Sequence, residues 1–349
     1  MRTRHSLSII LAVLSLAAPL FGQFAYVVNK GSNNITEFKI NENTGMLTGI
    51  GSIGTGNSPT SIAVDPMGGF AYVTNAGDND VSAYSIAANG TLTQIGAPVA
   101  SQPNPSSVAV NRSGHFVYVA SNTTMNGTGS AYSINPNGSL ASIGTFPEKL
   151  GSDSVAVSHS DKYVYVANRQ SGNVSAFSIN PNGTLTQMPT SPFAVLMQPS
   201  FLAINPVVPQ DCIYIANLGS NKVSGYYLYR GGIFSPTIPG SPYLTDSEPQ
   251  SVALQPAGKF AYVANFGAND VSAYKVDTKC GWAATSPPSF ATGPAPSAVV
   301  VDPKGRFVYV ANSGSHSVWG YRIQGSGTLQ ALTGGRFDTG ADPVAIAVR

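Results

Sequence analysis

The sequence repeats one short pattern seven times, and this repetition constrains the fold more than any other feature. Each copy contains Tyr-Val-x-Asn or a close variant. The copies are FAYVVN (24–29), FAYVTN (70–75), FVYVAS (116–121), YVYVAN (163–168), CIYIAN (212–217), FAYVAN (260–265) and FVYVAN (307–312). They recur at intervals of about 47 residues, which is typical of propellers, solenoids and other repeat architectures.

Each repeat contains four short apolar runs separated by turn residues. In residues 59–97 the runs are PTSIAV, FAYVTN, VSAYSI and TLTQIG, which we name strands A to D. Asn-Gly pairs separate C from D in several repeats and favour tight hairpins, because both residues tolerate a positive φ. Four antiparallel strands per repeat predict one blade of a β-propeller.

The two ends of the chain predict how the propeller closes. Once a leader of residues 1–23 is removed, the chain begins on a strand B at Phe24 and ends on a strand A, PVAIAV (343–348). In a ring, the last strand A would complete the first blade beside residues 24–29. We therefore predict an all-β, seven-bladed propeller over residues 24–349, with units starting near 24, 70, 116, 163, 212, 260 and 307. A β-sandwich would not require so many evenly phased strands.

Two aromatic positions recur with the repeat, and we predict that both are buried in the blades. Strand B carries Tyr26, Tyr72, Tyr118, Tyr165, Tyr214, Tyr262 and Tyr309, and strand C carries Phe38, Tyr84, Tyr132, Phe177, Tyr226, Tyr274 and Tyr321. The Asn that ends most strands B precedes a Gly-rich turn. We predict that its side chain bonds the backbone of that turn.

The first 23 residues have the pattern of a secretory signal peptide: Arg2 and Arg4, then an apolar run too short to span a membrane. Removing them would leave equal numbers of basic and acidic side chains. Without a basic excess, a broad nucleic-acid surface is not expected. We expect a secreted or periplasmic monomer without a membrane span or a nucleic-acid partner.

The repeats resemble the YVTN β-propeller repeat family, whose name is spelled out by residues 72–75. More broadly, residues 24–349 resemble the seven-bladed lactonase-like propellers, which include 6-phosphogluconolactonase-type and cycloisomerase-type proteins. This resemblance implies a lactone hydrolase or cycloisomerase acting at one mouth of the propeller, with His, Arg and acidic side chains around the opening. No residue-by-residue match to such a motif is found here. Among the residue types that the resemblance implies, His316 and Arg169 are the catalytic candidates. No cofactor or metal is indicated.

The chemistry is expected at a mouth of the channel, because the predicted inner strands carry no His, Glu, Lys or Arg within their bodies. The loops between strands B and C and between D and A share one face, which we call the upper face. Its candidate ligand-binding acids are Asp78, Asp153, Asp246, Glu248, Asp270 and Asp342, and the alternative is a solvated surface. The leading hypothesis is a secreted binding scaffold for a small ligand, a glycan or a protein, with a small polar ligand or a cation on this rim. A lactonase-like hydrolase is the alternative.

Cys212 and Cys280 are the two cysteines of the chain. Cys212 occupies the first position of strand B in the fifth repeat, and Cys280 follows strand C in the sixth. Both are expected near the lower face on neighbouring blades, so secretion would permit a disulfide. The alternative for Cys212 is a small buried core residue.

Overall fold

The computed structural model describes residues 23–124, 127–206, 211–229 and 231–349. Its strands form seven antiparallel sheets, and the sheets follow one another in chain order. Each strand A contacts the strands A of the two neighbouring sheets, and the last of them contacts the first, so the ring is closed. The predicted seven-bladed propeller is confirmed. The predicted signal peptide, apart from Gln23, lies outside the described residues.

Strands A and B form the inner half of each blade. From blade 1 to blade 7, strands A are Pro343–Val348, Pro59–Val64, Pro105–Val110, Ser152–Val157, Pro199–Ile204, Pro249–Leu254 and Pro296–Val301. Strands B are Phe24–Asn29, Phe70–Asn75, Phe116–Ser121, Tyr163–Asn168, Cys212–Asn217, Phe260–Asn265 and Phe307–Asn312. Short 3-10 turns, Leu218–Ser220 and Ser313–Ser315, follow two of the strands B.

Strands C and D form the outer half. Strands C are Asn34–Ile40, Asp80–Ile86, Thr128–Ile134, Asn173–Ile179, Lys222–Leu228, Asp270–Val276 and Ser317–Ile323. Strand D is continuous in four blades, as Leu47–Gly54, Leu140–Pro147, Trp282–Ala291 and Leu329–Asp338. In the other three it is split into two pieces, Leu92–Gln94 with Val99–Ala100, Leu185–Gln187 with Phe193–Ala194, and Phe234–Thr237 with Tyr243–Leu244.

Blade 1 is assembled from both ends of the chain, as predicted. Its sheet places Pro343–Val348 beside Phe24–Asn29, with Ala25 opposite Val348 and Val27 opposite Ile346. Every residue of Phe24–Asn29 is buried. The terminal strand therefore covers an edge that would otherwise expose unpaired backbone groups and apolar side chains to water.

The strand-B tyrosines join neighbouring blades. All seven are fully buried, and each phenol donates a hydrogen bond of 2.7–3.0 Å to a carbonyl in the C–D hairpin of the next blade. The acceptors are Gly90, Gly138, Gly183, Gly232, Cys280, Gly327 and Gly45. The recurrent Tyr is thus both a core residue and the hydrogen-bonded connection from one blade to the next.

A second contact accompanies each of these hydrogen bonds. At six blade interfaces the aromatic side chain that opens strand B packs on the hairpin glycine of the next blade, so closely that a Cβ there would lie within 2.6 Å of the ring. At the seventh interface the two positions are Cys212 and Cys280, and a disulfide joins them with their Cα atoms 6.5 Å apart. Cys280 adopts φ 65°, as the hairpin glycines do.

The recurrent Asn has a structural role, but its partners differ from the prediction. In blade 2, Asn75 donates to the Asp80 carboxylate at 2.7 Å and to the Ser82 hydroxyl at 2.9 Å, and Asn168 and Asn265 make equivalent bonds in their blades. The partners are side chains of strand C, because the Asn lies opposite the first residue of that strand. The predicted bonds to the turn backbone are therefore not the main interaction.

Candidate functional site

Hydroxyl groups line much of the central channel, which has a volume of about 430 Å³. Thr60, Ser106, Ser200 and Ser297 are the second residues of their strands A, and each donates to a backbone carbonyl of the next strand A at 2.6–2.9 Å. The third residue of strand A is a Ser in four blades, and its hydroxyl accepts a backbone N–H from the neighbouring strand A at 3.2–3.4 Å. These hydroxyls link the inner strands to one another.

Three blades lack the second-position hydroxyl, and they carry Asp153, Gln250 and Val344 instead. Asp153 was predicted from the sequence to lie in a D–A loop. This placement is wrong, because strand A of blade 4 begins at Ser152, and Asp153 is the second residue of that strand and lines the channel. Ser152 replaces the proline that marks the strand start in the other blades, so the boundary was misjudged.

Asp153 is held by two partners. The Arg169 guanidinium contacts one carboxylate oxygen at 3.3 Å, and the side-chain amide of Asn122 donates to the other. Burial raises the pKa of Asp153, and the positive charge of Arg169 and the Asn122 hydrogen bond oppose that rise. Arg169 directly follows strand B. Its side chain is 37% exposed, so part of the guanidinium faces the opening.

A cavity of about 490 Å³ forms the upper mouth of the channel. Arg169, Glu248 and Asp342 contribute its charged lining. The two acids come from equivalent positions, immediately before the first residue of strand A, where both adopt the left-handed conformation with φ 57° and 54°. The Glu248 carbonyl accepts the N–H of Phe266, and that of Asp342 accepts the N–H of Lys30, both at 2.8 Å. Their backbones are therefore fixed at the rim.

His316, a predicted catalytic candidate, occupies a position that Asn fills in four other blades. Asn33, Asn79, Asn221 and Asn269 each accept a backbone N–H from the next D–A loop at 2.7–2.9 Å. His316 does the same through Nδ1, which accepts the Asp342 N–H at 3.0 Å, and it shares their positive φ. The imidazole thus positions the Asp342 backbone and does not line the mouth cavity.

The remaining predicted rim acids lie outside the mouth cavity. Asp78 accepts the backbone N–H of Asn57 at 2.7 Å and its side-chain amide at 2.8 Å, and these bonds lower the Asp78 pKa. Burial, together with the neighbouring Asp246, raises the pKa of Asp270 to about 6, although the Asn265 amide donates to Asp270. Of the predicted acids, Glu248 and Asp342 line the mouth cavity with Arg169, and Asp153 lines the channel and contacts Arg169. Asp246 and Asp270 are neighbours in a separate pair.

Four mouth or channel residues that were not predicted from the sequence share one position in the repeat: Lys30, Leu218, Phe266 and Ser313. Each directly follows a strand B, as Arg169 does. A signal for them was present, since the residue after the recurrent Asn can be read from every repeat. In the part of the chain that the structure describes, no group of three His, Cys, Asp or Glu side chains is placed to hold a metal ion. Nor is there, among the same residues, a helix long and apolar enough to cross a membrane.

Comparison with known proteins gives a family match. The model of the lactonase family, a seven-bladed β-propeller family, matches residues 20–103 and 87–342. No curated protein sequence matches the chain significantly.

Solved structures share the fold at low sequence identity. A proposed 6-phosphogluconolactonase from Bacteroides fragilis superposes with a TM-score of 0.84 at 20% identity, covering 95% of this chain and 98% of that one. The periplasmic gluconolactonase of Pseudomonas aeruginosa has a TM-score of 0.78 at 18% identity, covering 93% of this chain and 99% of that one. At these identities the likeness supports the fold alone.

Proposed function

Because the chain belongs to the lactonase family of seven-bladed β-propellers, we propose that it hydrolyses a lactone at the upper mouth of its channel. The observation that carries the proposal is the convergence of Arg169, Glu248 and Asp342 on one cavity of about 490 Å³. Ester hydrolysis needs a group that stabilises negative charge on the carbonyl oxygen and a base that activates water. The mouth holds both kinds of group.

The roles follow from the chemistry of these side chains. Glu248 or Asp342 takes a proton from water as the water oxygen bonds to the carbonyl carbon. Arg169 donates hydrogen bonds to the carbonyl oxygen, which becomes negatively charged, and Asp153 and Asn122 hold Arg169 in place. The C–O bond of the lactone ring then breaks. The protonated side chain of Glu248 or Asp342 gives its proton to the departing alkoxide. The product is the open-chain hydroxy acid.

The test is hydrolysis of a lactone panel by the purified protein, followed by pH-stat. Arg169→Gln is expected to lower kcat/KM by about 10²–10³-fold. Glu248→Gln and Asp342→Asn are expected to identify the base, since loss of a general base costs about 10²–10⁴-fold. His316→Asn is the matched control, because Asn supplies the same backbone contact in four other blades.

A protein that hydrolyses no lactone faster than buffer would contradict the proposal. The binding scaffold would then be the better hypothesis, and thermal-shift screening of hydroxy acids, glycans and proteins would test it. The same proposal includes a relationship to the YVTN-repeat family, which residues 72–75 suggest. It also includes a secreted or periplasmic location and a monomeric state. The signal-peptide pattern of residues 1–23 supports such a location.

A further inference from the structure

One ring of equivalent side chains surrounds the upper mouth. It consists of the residue that directly follows each strand B, and from blade 1 to blade 7 these residues are Lys30, Ala76, Asn122, Arg169, Leu218, Phe266 and Ser313. In all seven blades the backbone N–H of this residue donates to the carbonyl of the residue immediately before strand A. Because this backbone contact is shared, differences among the side chains distinguish one sector of the mouth from another.

Blades 5 and 6 form an apolar sector of this ring. Leu218 and Phe266 both line the mouth cavity, and Phe266 remains 40% exposed. Met197, whose carbonyl accepts the N–H of Gly219 beside Leu218, is 67% exposed. Ala76, Asn122 and Ser313 show that the position accepts small or polar residues. A half-buried leucine and an exposed phenylalanine that line the same cavity from adjacent blades therefore indicate a surface that an apolar group covers.

The charges next to this sector indicate what the rest of the ligand carries. Arg169 precedes Leu218 in the ring and is already paired with Asp153, whereas Glu248 and Asp342 line the same cavity. A phosphate in this cavity would meet two carboxylates and a guanidinium whose charge is partly balanced. A neutral carbonyl can still accept hydrogen bonds from Arg169 while a hydrocarbon group lies on Leu218 and Phe266.

We propose that the mouth selects a neutral lactone bearing an alkyl or aryl group, whose apolar part packs on Leu218 and Phe266. This inference rests on the proposed lactone hydrolysis and specifies its substrate class. Phe266 and Leu218 are specificity residues in this proposal, and the reacting groups remain those of Arg169, Glu248 and Asp342.

The test compares kcat/KM for three δ-lactones: δ-valerolactone, δ-decalactone and 6-phosphogluconolactone. The wild-type protein is expected to prefer δ-decalactone over each of the others by at least about 10-fold, the discrimination that apolar contacts supply. Phe266→Ser, which installs the residue of blade 7, is expected to reduce that preference by about 10-fold. Phe266→Leu is expected to keep it. Met67→Ser, at an 83% exposed methionine outside the mouth cavity, is the control.

Two results would separate this inference from the proposed function. Hydrolysis that favours 6-phosphogluconolactone, with unchanged selectivity in Phe266→Ser, would overturn the substrate class and leave the hydrolase proposal standing. If no lactone is hydrolysed, the hydrolase proposal fails. Calorimetry with 5-hydroxydecanoate then tests whether the apolar site binds this hydroxy acid. Binding that Phe266→Ser weakens about 10-fold would support the site, and absence of binding would overturn it.

Discussion

At the scale of single residues, substitutions at repeated positions reveal where this chain departs from its own pattern. His316 replaces an Asn and keeps its hydrogen bond, and Asp153 replaces a Ser or Thr and pairs with Arg169. Ser121 replaces the recurrent Asn of strand B, and the buried Glu148 carboxylate accepts its backbone N–H at 3.0 Å. The sequence identifies the altered positions. Their new partners lie in or beside loops that only the folded chain brings next to them.

Glu148 is expected to make stability depend on pH. Burial raises its pKa from 4.5 to about 8, with hydrogen bonds opposing the rise. The carboxyl group is protonated in both states at low pH, and as pH increases through this window the unfolded chain loses the proton first. Its contribution to stability is therefore full below pH 4.5 and lost by about pH 8. Glu148→Gln should remove a decline of roughly 3–5 kcal/mol.

The measurement for Glu148→Gln is the free energy of urea unfolding at several pH values between 4.5 and 8.5. Asp338→Asn is the control, since the Asp338 side chain is 91% exposed. Parallel pH profiles for wild type and Glu148→Gln would contradict the prediction.

His316→Asn and His316→Ala are expected to differ in stability. Asn tolerates the positive φ and can accept the Asp342 N–H, so His316→Asn should change the free energy of unfolding by less than about 0.5 kcal/mol. Ala lacks the acceptor and tolerates φ 50° poorly, so a loss of about 1–2 kcal/mol is expected. Chemical denaturation distinguishes the two variants, and equal stabilities would argue against a backbone-positioning role.

At the scale of strands and hairpins, each blade interface uses the same pair of contacts. The strand-B Tyr bonds to the next C–D hairpin, and the first residue of strand B packs on that hairpin. Cys212 and Cys280 occupy these two packing positions at the interface of blades 5 and 6. Cys212 was assigned to the Phe position from sequence, but Cys280 was not aligned with the hairpin glycines because the Asn-Gly signal is absent there. The equivalence emerges from the hairpin geometry.

The double variant Cys212→Phe/Cys280→Gly is expected to restore the aromatic-on-glycine contact of the other six interfaces. It should remain within about 1–2 kcal/mol of the wild-type free energy of unfolding, because repacked cores tolerate matched substitutions. Cys280→Gly alone should lose about 2–4 kcal/mol, the usual contribution of a disulfide. Thermal melts without reductant test the order of stabilities, with reduced wild type as the reference. A double variant no more stable than Cys280→Gly would disprove the equivalence.

At the scale of the whole molecule, closure of the ring depends on seven residues at the end of the chain. Pro343–Val348 pairs with Phe24–Asn29, and Arg349 exchanges two backbone hydrogen bonds with Phe24. The same strand supplies Val344 to the mouth cavity, and Asp342 immediately precedes it. The pairing that completes the fold therefore also completes the proposed site.

A chain ending at Asp342 is expected to lose its cooperative thermal transition. The truncation uncovers a fully buried strand and opens the ring, and the lost burial and pairing are comparable to the net stability of a domain, about 5–15 kcal/mol. Removing Arg349 alone should cost only about 1–3 kcal/mol, because it affects two hydrogen bonds. Calorimetry compares the two truncations. A cooperative transition of the shorter chain within a few degrees of full length would contradict the importance of closure.

The sequence by itself determined the class, number and order of the blades, because each repeat encodes its strands through local apolar patterning and turn residues. It also determined which tyrosines are buried and that the two chain ends share a blade. Tertiary structure alone decided which acids share the mouth with Arg169, that Asp153 lies in the channel wall, and that His316 holds a backbone amide. The physical reason is that the mouth and the His316 contact join residues from different blades, whose separations depend on the curvature of the closed ring. The start of strand A in blade 4, in turn, depends on its pairing with strand B.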